Sequence, residues 1–214
     1  MLHMCHVSAG EGADDIERLK LALFNEKLAP ALLPHNDDLV IRIKELTNEQ
    51  SNMIAELEAT AEPTSMLQRS LYEMELERVN YMLRSYMRTR LIKISRFSIY
   101  LDTSDETRAV LSENELDFLK RYLQMYRQHV DREIWDTAEG SSRLDERLRD
   151  INLTGPLVVQ PELDSHVYCK ALVDCEPFRI EETDETIEML QNEIRLLPFR
   201  LVERFVHEDK VMLV

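Results

Sequence analysis

Glycine is scarce in this sequence. Only four glycines occur in 214 residues, at Gly10, Gly12, Gly140 and Gly155. Phosphate-binding loops of the Walker and dinucleotide types need several closely spaced glycines, because the backbone must approach the phosphates. The spacing found here fits neither type, so the sequence lacks a glycine-rich nucleotide site.

Cysteine and long apolar runs are also rare. The three cysteines, Cys5, Cys169 and Cys175, are odd in number and match no metal-binding spacing. We therefore expect free thiols in a reducing compartment. No apolar run is long enough to span a bilayer, and the first residues show no signal-peptide pattern.

Acidic residues greatly outnumber basic ones. The chain has 41 Asp and Glu against 26 Lys and Arg, which gives a net charge of -15. A surface this negative repels phosphate, so duplex DNA is a poor partner for the protein as a whole. Hydrophobic residues make up 44% of the chain, which is enough for a folded core in one domain or two small ones.

The longest helical pattern runs from Ser65 to Phe97 and contains neither Gly nor Pro. Ser65 and Gln68 form a predicted capping box at its start. Apolar residues cover an arc of roughly 200°, wider than the stripe of a surface helix. We therefore predict that this helix is covered from two directions, by its own domain and by a partner. One apolar face holds Leu67, Leu71, Met74 and Met82; the face beside it holds Leu76, Val79, Leu83, Tyr86, Met87 and Ile94.

Charges are sorted along the same helix. The first half is acidic, which suits the positive N-terminal end of the helix dipole, and the second half is basic. From sequence, this basic strip has two interpretations that stay open. It is either a solvated face or a partner-facing rim where arginines pair with carboxylates. The basic strip consists of Arg84, Arg88, Arg90, Lys93 and Arg96.

Further elements are predicted on both sides of this helix. Helical spacing recurs before and after it, with Asp14 as one N-cap and Ser112 with Glu115 as a second capping box. Near the C-terminus the period changes to that of strands. The first predicted helix begins at Asp14 and ends within the stretch 25–34, which contains Pro30 and Pro34. The other predicted helices are 36–59, 112–135 and 198–206, and the predicted strands are 166–173, 178–180, 187–190, 194–197 and 210–214.

These elements predict a mainly α protein with a small α+β part. An N-terminal helical bundle is followed by a small C-terminal β-rich domain. The predicted organisation is a flexible N-terminus (1–13), a helical domain (14–136), a linker (137–160) and the β-rich domain (161–214).

Catalytic chemistry has little support in the sequence. Asp164, Ser165 and His166 are the residue types of a hydrolytic triad, but neighbours on one strand point to opposite faces and cannot form that relay. Hydrolysis would require turnover that is lost on His166→Ala, and we expect no such turnover.

The central stretch Tyr72–Ile94, YEMELERVNYMLRSYMRTRLIKI, resembles the central helix of the Sld-five subunits of the GINS complex. Three other stretches agree with that family. Asn25–Pro30 (NEKLAP) resembles the end of its N-terminal helix, and Pro161–Ser165 (PELDS) resembles the opening of its C-terminal domain. The ending Val211–Val214 fits a family whose chain stops inside a strand.

The resemblance implies a non-catalytic scaffold subunit in the nucleus, without a cofactor. It implies assembly with three paralogous subunits into a heterotetramer. That tetramer joins the MCM hexamer and the RecJ-like Cdc protein in the replicative helicase of eukaryotic chromosomes.

Particular residues are predicted to carry this assembly. The face buried against a sister subunit is predicted to be Tyr72, Leu76, Val79, Leu83 and Tyr86. Arg84, Arg88 and Arg90 are predicted rim or interdomain ion-pair donors, and Leu163 and Asp164 are further interface candidates. The alternative function is contact with DNA through the basic strip.

Overall fold

The computed structural model describes residues 9–60, 63–130, 132, 158–179 and 186–214. It confirms the predicted fold class, because helices fill the first part of the chain and a small sheet domain follows. None of the described helices is both long and apolar enough to cross a membrane. The helices are α1 (Ala9–Leu28), α2 (Asp37–Thr60), α3 (Pro63–Arg96), α4 (Ser98–Leu101), α5 (Asp105–Arg108), α6 (Glu113–Val130) and α7 (Phe199–His207). The strands are β1 (His166–Ala171), β2 (Cys175–Arg179), β3 (Thr186–Met189), β4 (Ile194–Pro198) and β5 (Val211–Leu213).

Helices α1, α2 and α3 pack together through apolar residues at three- and four-residue steps. Their shared core is a cluster of buried side chains, and α3 enters it only from Val79 onward. The fully or nearly fully buried members are Leu19, Leu23, Leu39, Val40, Ile43, Val79, Leu83 and Tyr86.

The end of α3 belongs to a second core. Ile94 packs there with Phe97 and Leu101, and α6 contributes Leu119 and Leu123. The capping box predicted at the start of α6 is confirmed, because the Ser112 amide donates to Glu115 and the Glu115 amide donates to Ser112 Oγ.

The C-terminal domain contains a three-stranded antiparallel sheet of order β4–β1–β5, and β2 pairs with β3 beside it. Helix α7 packs on the three-stranded sheet, and Phe199, Val202 and Phe205 are buried in the domain core. Cys169 and Cys175 are free and buried in this core, where burial raises the pKa of the Cys169 thiol to about 11.

This domain packs against the connection between α1 and α2. Ala29, Ala31 and Leu33 of that connection are buried in the same core as the sheet. The Asn25 side chain reaches β5 as well: its Oδ1 accepts from the Leu213 amide at 2.9 Å, and its Nδ2 donates to the Val211 carbonyl at 3.4 Å. Helix α1 is thus tied to the last strand of the chain.

Two predicted helix starts are wrong, and strand β2 begins at Cys175 instead of at residue 178. Helix α1 begins at Ala9 instead of Asp14, so residues 9–13 are helical and only residues 1–8 of the predicted flexible segment lie outside the described residues. Gly10 and Gly12 are tolerated in the first turns, and Gly12 lies near the Leu46 side chain. Helix α3 begins at Pro63, which places Ser65 inside the helix instead of at its cap. Proline suits a first helical position because no intrahelical bond needs its amide.

Most of the predicted linker, and the predicted helical residues 131 and 133–135, lie outside the described residues. The predicted division into domains therefore stays a prediction.

Candidate functional site

The first half of α3 extends beyond the core that α1 helps to form. Helix α3 has 34 residues and α1 has 20, so α3 is longer by about 20 Å at a rise of 1.5 Å per residue. The excess length lies beside the second half of α2, to which the Arg69 guanidinium joins it through Glu58 at 3.1 Å. We call residues 47–60 and 63–78 the helical arm.

The helical arm carries apolar side chains on its outer surface. On α3, Leu67 is 70% exposed, Leu71 55% and Met74 67%. Met66 on α3 and Met53 on α2 are exposed as well. A contiguous group of large apolar side chains in water is the usual mark of a protein–protein contact.

The two apolar faces of α3 have the reverse of their predicted roles: the face predicted to meet a partner is buried within the chain, and the other face is exposed. Val79, Leu83 and Tyr86 were predicted to face a sister subunit, but they are buried by the chain's own α1 and α2 and are not available to a partner. Tyr72 and Leu76 are only half-buried. The outward face is formed by Leu67, Leu71 and Met74. Contact of these residues with a sister subunit was not predicted from the sequence.

Arg90 lies in the interior of the helical part and is fully buried. A guanidinium has five N–H donors, and five hydrogen bonds surround this one. Nε and Nη2 bind the Glu115 carboxylate at 2.7 and 2.9 Å, and Nη1 binds Glu26 at 3.0 Å. The remaining donors bind the carbonyls of Leu33 at 2.6 Å and Val110 at 3.0 Å. The prediction that Arg90 is a rim or interdomain ion-pair donor is therefore wrong, since its carboxylate partners lie on α1 and α6.

Lys93, one helical turn further on, completes the group. Its Nζ donates to Glu26 Oε1 and to the Ala31 carbonyl, each at 2.7 Å. We call Glu26, Arg90, Lys93 and Glu115 the buried charge cluster. Its two cations and two carboxylates balance, which is the condition for keeping charges out of water.

Ionisation inside this cluster follows from the pairing. Burial alone would raise the pKa of Glu115, but the hydrogen bonds from Arg90 outweigh it and lower that pKa to about 2. Burial opposes the charge of Arg90 as well, and the bond to Glu115 nevertheless raises its pKa. Burial lowers the pKa of Lys93, although Glu26 acts against this shift.

The cluster removes the centre of the basic strip from the surface. Of its five members, Arg84, Arg88 and Arg96 are exposed, and Arg84 donates to the Asn80 carbonyl of its own helix. Arg90 and Lys93 already bind carboxylates and carbonyls, so they are not free to contact phosphate. The structure therefore does not favour DNA contact through this strip.

The two candidates in the C-terminal domain differ from each other. Leu163 is half-buried and packs against the domain core, while Asp164 is exposed and pairs with Arg200 at 3.1 Å. Asp164 lies in the turn before β1, and His166 is the exposed first residue of that strand.

Sequence reasoning missed the functional parts of α1. Asn25 binds β5, and its neighbour Glu26 binds Arg90 and Lys93, so consecutive residues join α1 to two different parts of the fold. Both residues belong to the NEKLAP stretch, which the sequence identified only by resemblance. The available signal was Glu26, a charged residue seven positions after Leu19 on the apolar side that Leu19 and Leu23 mark.

Two family models match the chain. Residues 40–133 match the GINS complex protein helical bundle domain, and residues 161–214 match the DNA replication complex GINS protein SLD5 C-terminus. The first match contains the whole helical arm as well as Arg90, Lys93 and Glu115. The second match contains the complete sheet domain.

Curated relatives are similar over almost their whole length. A protein of Arabidopsis thaliana named DNA replication complex GINS protein SLD5 is 30% identical over 203 residues, which cover 94% of this chain and 91% of the relative. Proteins of the same name from Schizosaccharomyces pombe and Bos taurus are 28% and 29% identical, over 95% and 94% of this chain and 94% and 90% of their own. With two successive domain matches and full-length similarity to such relatives, the chain belongs to the Sld5 family of GINS complex proteins.

Proposed function

We propose that this chain is a non-catalytic scaffold subunit of a GINS complex and acts in DNA replication. The observation that carries the proposal is the helical arm, which turns Leu67, Leu71 and Met74 to water. A single pair of helices cannot bury its apolar surface on both sides, so a second pair from another subunit is needed to cover it. The names of the relatives support the other GINS subunits as these partners.

The complete proposal follows the family. Three paralogous subunits join this chain in a heterotetramer in the nucleus. The tetramer then joins the MCM hexamer and the RecJ-like Cdc protein as part of the replicative helicase. The buried charge cluster supports a structural role, because its hydrogen bonds hold α1, α3 and α6 in fixed positions and leave Arg90 no free donor for chemistry.

Co-expression with the three sister subunits tests the proposal. The triple variant Leu67→Lys, Leu71→Lys, Met74→Lys places three charges on the outer face of the helical arm. We expect that this variant no longer co-elutes with the other subunits on size-exclusion chromatography, because burying three unpaired ammonium groups is strongly unfavourable. The isolated variant should keep the helical circular dichroism of the unsubstituted chain, since all three positions are exposed.

A control variant adds the same charge elsewhere. Asp14→Lys with Gln124→Lys changes two exposed positions outside the arm by three charges in total. This variant should assemble normally. Assembly of the triple arm variant at the yield of the control would contradict the proposed role of the arm.

A further inference from the structure

The outer edge of β4 presents backbone groups that no described strand pairs. In the sheet order β4–β1–β5, β4 has a neighbour on one side only. The Ala171 amide donates to the Glu193 carbonyl, and the Phe199 amide donates to the Ser165 carbonyl. The odd-numbered residues of β4, Arg195 and Leu197, therefore direct their backbone N–H and C=O groups toward β1. Because antiparallel pairing alternates, Ile194 and Leu196 turn their N–H and C=O groups away from the sheet.

The opposite edge of the same sheet is closed. On β5 the residues that face outward are Val211 and Leu213, since Val214 and Lys210 bond to the β1 side. The Asn25 amide group binds both of them, accepting from Leu213 and donating to Val211. A side-chain amide places an N–H donor beside a carbonyl acceptor, as the backbone of a strand does, and Asn25 thus occupies the place of a neighbouring strand.

The outer sheet face of β4 carries no charged side chain to discourage pairing. Exposed edge strands normally carry lysines or other charges that discourage a further strand. On β4 the side chains of the outer sheet face are Ile194 and Leu196, both about half exposed. Tyr168 of β1 lies directly opposite Leu196 on that face and is exposed too. An added strand would therefore find both backbone partners and an apolar surface.

The chemistry of the edge selects the kind of strand. Lys170 lies opposite Ile194 on the outer face, and among the described residues no carboxylate lies within 4 Å of its ammonium group. Pro198 has no N–H, so two copies of β4 pairing around Leu196 would each lack a donor opposite Ile194. A second copy of this chain is thus a poor occupant, and an apolar strand with carboxylates fits better.

We propose that β4 accepts an extended segment of a recruited protein as an additional strand, with apolar residues against Tyr168, Ile194 and Leu196 and a carboxylate toward Lys170. Such pairing draws its affinity from main-chain hydrogen bonds and its specificity from alternate side chains. The contact is short, with two outward N–H groups, and falls in the small size class of transient interfaces. It therefore suits a protein that binds transiently, whereas the helical arm suits a stably assembled subunit.

Amide hydrogen exchange of the full-length chain tests the proposal. We would add a capped eight-residue peptide, Thr-Val-Thr-Val-Thr-Glu-Thr-Thr, as the probe, because residues two apart share a face and its valines and glutamate then lie together on the outer face. Without peptide, the Ile194 and Leu196 amides should exchange fast, while the Arg195 and Leu197 amides, which face β1, should be protected. At a peptide concentration of four times Kd, exchange at Ile194 and Leu196 should slow about fivefold, because four-fifths of the chains are then bound.

Two controls separate strand pairing from adhesion. The same peptide with N-methylated alternate amides keeps its side chains but loses the donors, and it should give no protection. Leu196→Lys should abolish protection, whereas Val173→Lys, at an exposed apolar position off this edge, should leave it intact. Slow exchange of both amides before peptide is added, or equal protection by the methylated peptide, would overturn the proposal. The test is independent of the proposed assembly, since it requires no sister subunit.

Discussion

In the first half of α3, Leu67, Leu71 and Met74 face water, whereas in the second half Arg90 is completely buried. One helix thus reverses the usual distribution of side chains twice. The buried arginine is acceptable because Glu26 and Glu115 come to it from two other helices and the connecting backbone supplies two carbonyls. The exposed leucines and methionine have no such neighbours within the described chain.

The difference between the halves separates two tasks. Charges placed inside fix the positions of α1, α3 and α6, because a guanidinium with five bonds tolerates little displacement. Apolar residues placed outside contribute nothing to the chain alone and provide contact area for another subunit. The comparison predicts that stability and assembly depend on different halves of one helix.

Removal of the buried guanidinium should have the largest effect. In Arg90→Met, Glu115 and one oxygen of Glu26 lose their cationic partner in a buried site. We expect the free energy of unfolding to fall by about 3–5 kcal/mol, which is typical when one partner of a buried ion pair is removed. Urea unfolding of the full-length chain at low concentration, followed by circular dichroism, measures this loss.

Arg88→Met is the matched control for that variant. It makes the same substitution two residues away, where the side chain is exposed, and should change stability by less than about 0.5 kcal/mol. Equal stabilities of the two variants would mean that the buried charge cluster does not hold the helices together.

The helices, the strands and the two apolar faces of α3 could largely be predicted from the sequence. Helical spacing of apolar residues predicted α2 at 36–59, and the change of period predicted the strands. Both apolar faces of α3 were identified as well. Which face turns inward was not, because a helical wheel gives angles around one axis and not the positions of the neighbouring helices.

The burial of Arg90 could not be predicted from the sequence for a related reason. Its partners lie 64 and 25 residues away, at Glu26 and Glu115, and nothing local distinguishes it from the exposed Arg88. Asn25 poses the same difficulty, since the strand it binds begins 186 residues later. Contacts of this kind are set by tertiary packing, which neither propensity nor spacing records.

Acid should weaken the buried charge cluster, and the loss in free energy of unfolding should be smaller than that caused by Arg90→Met. The pKa of Glu115 is about 2 in the folded chain against an ordinary value of 4.5. Because the folded pKa is depressed, its contribution to stability is complete above pH 4.5 and is lost as the pH falls toward 2. The shift corresponds to about 3 kcal/mol. The free energy of unfolding should therefore fall through this range.

Glu115→Gln isolates the contribution of this carboxylate. The variant starts less stable at neutral pH, and its stability should decline less between pH 4.5 and 2 than that of the unsubstituted chain. Glu113→Gln removes an exposed carboxylate from the same helical turn and should leave the pH dependence nearly unchanged. Parallel curves for the Glu115 variant and the unsubstituted chain would contradict the pairing.

The smallest effect on stability should come from the outer face. Leu71→Ala removes a side chain that is 55% exposed, and we expect the free energy of unfolding to change by less than about 0.5 kcal/mol. Leu83→Ala makes the same change in the same helix where the side chain is 9% exposed, and it should cost roughly 2–5 kcal/mol. Comparable losses for the two leucines would mean that the chain itself covers its arm. A cost for Leu83→Ala at least about four times that of Leu71→Ala, with assembly impaired by the outer substitution although the fold is not, is what a helix divided between its own core and a partner requires.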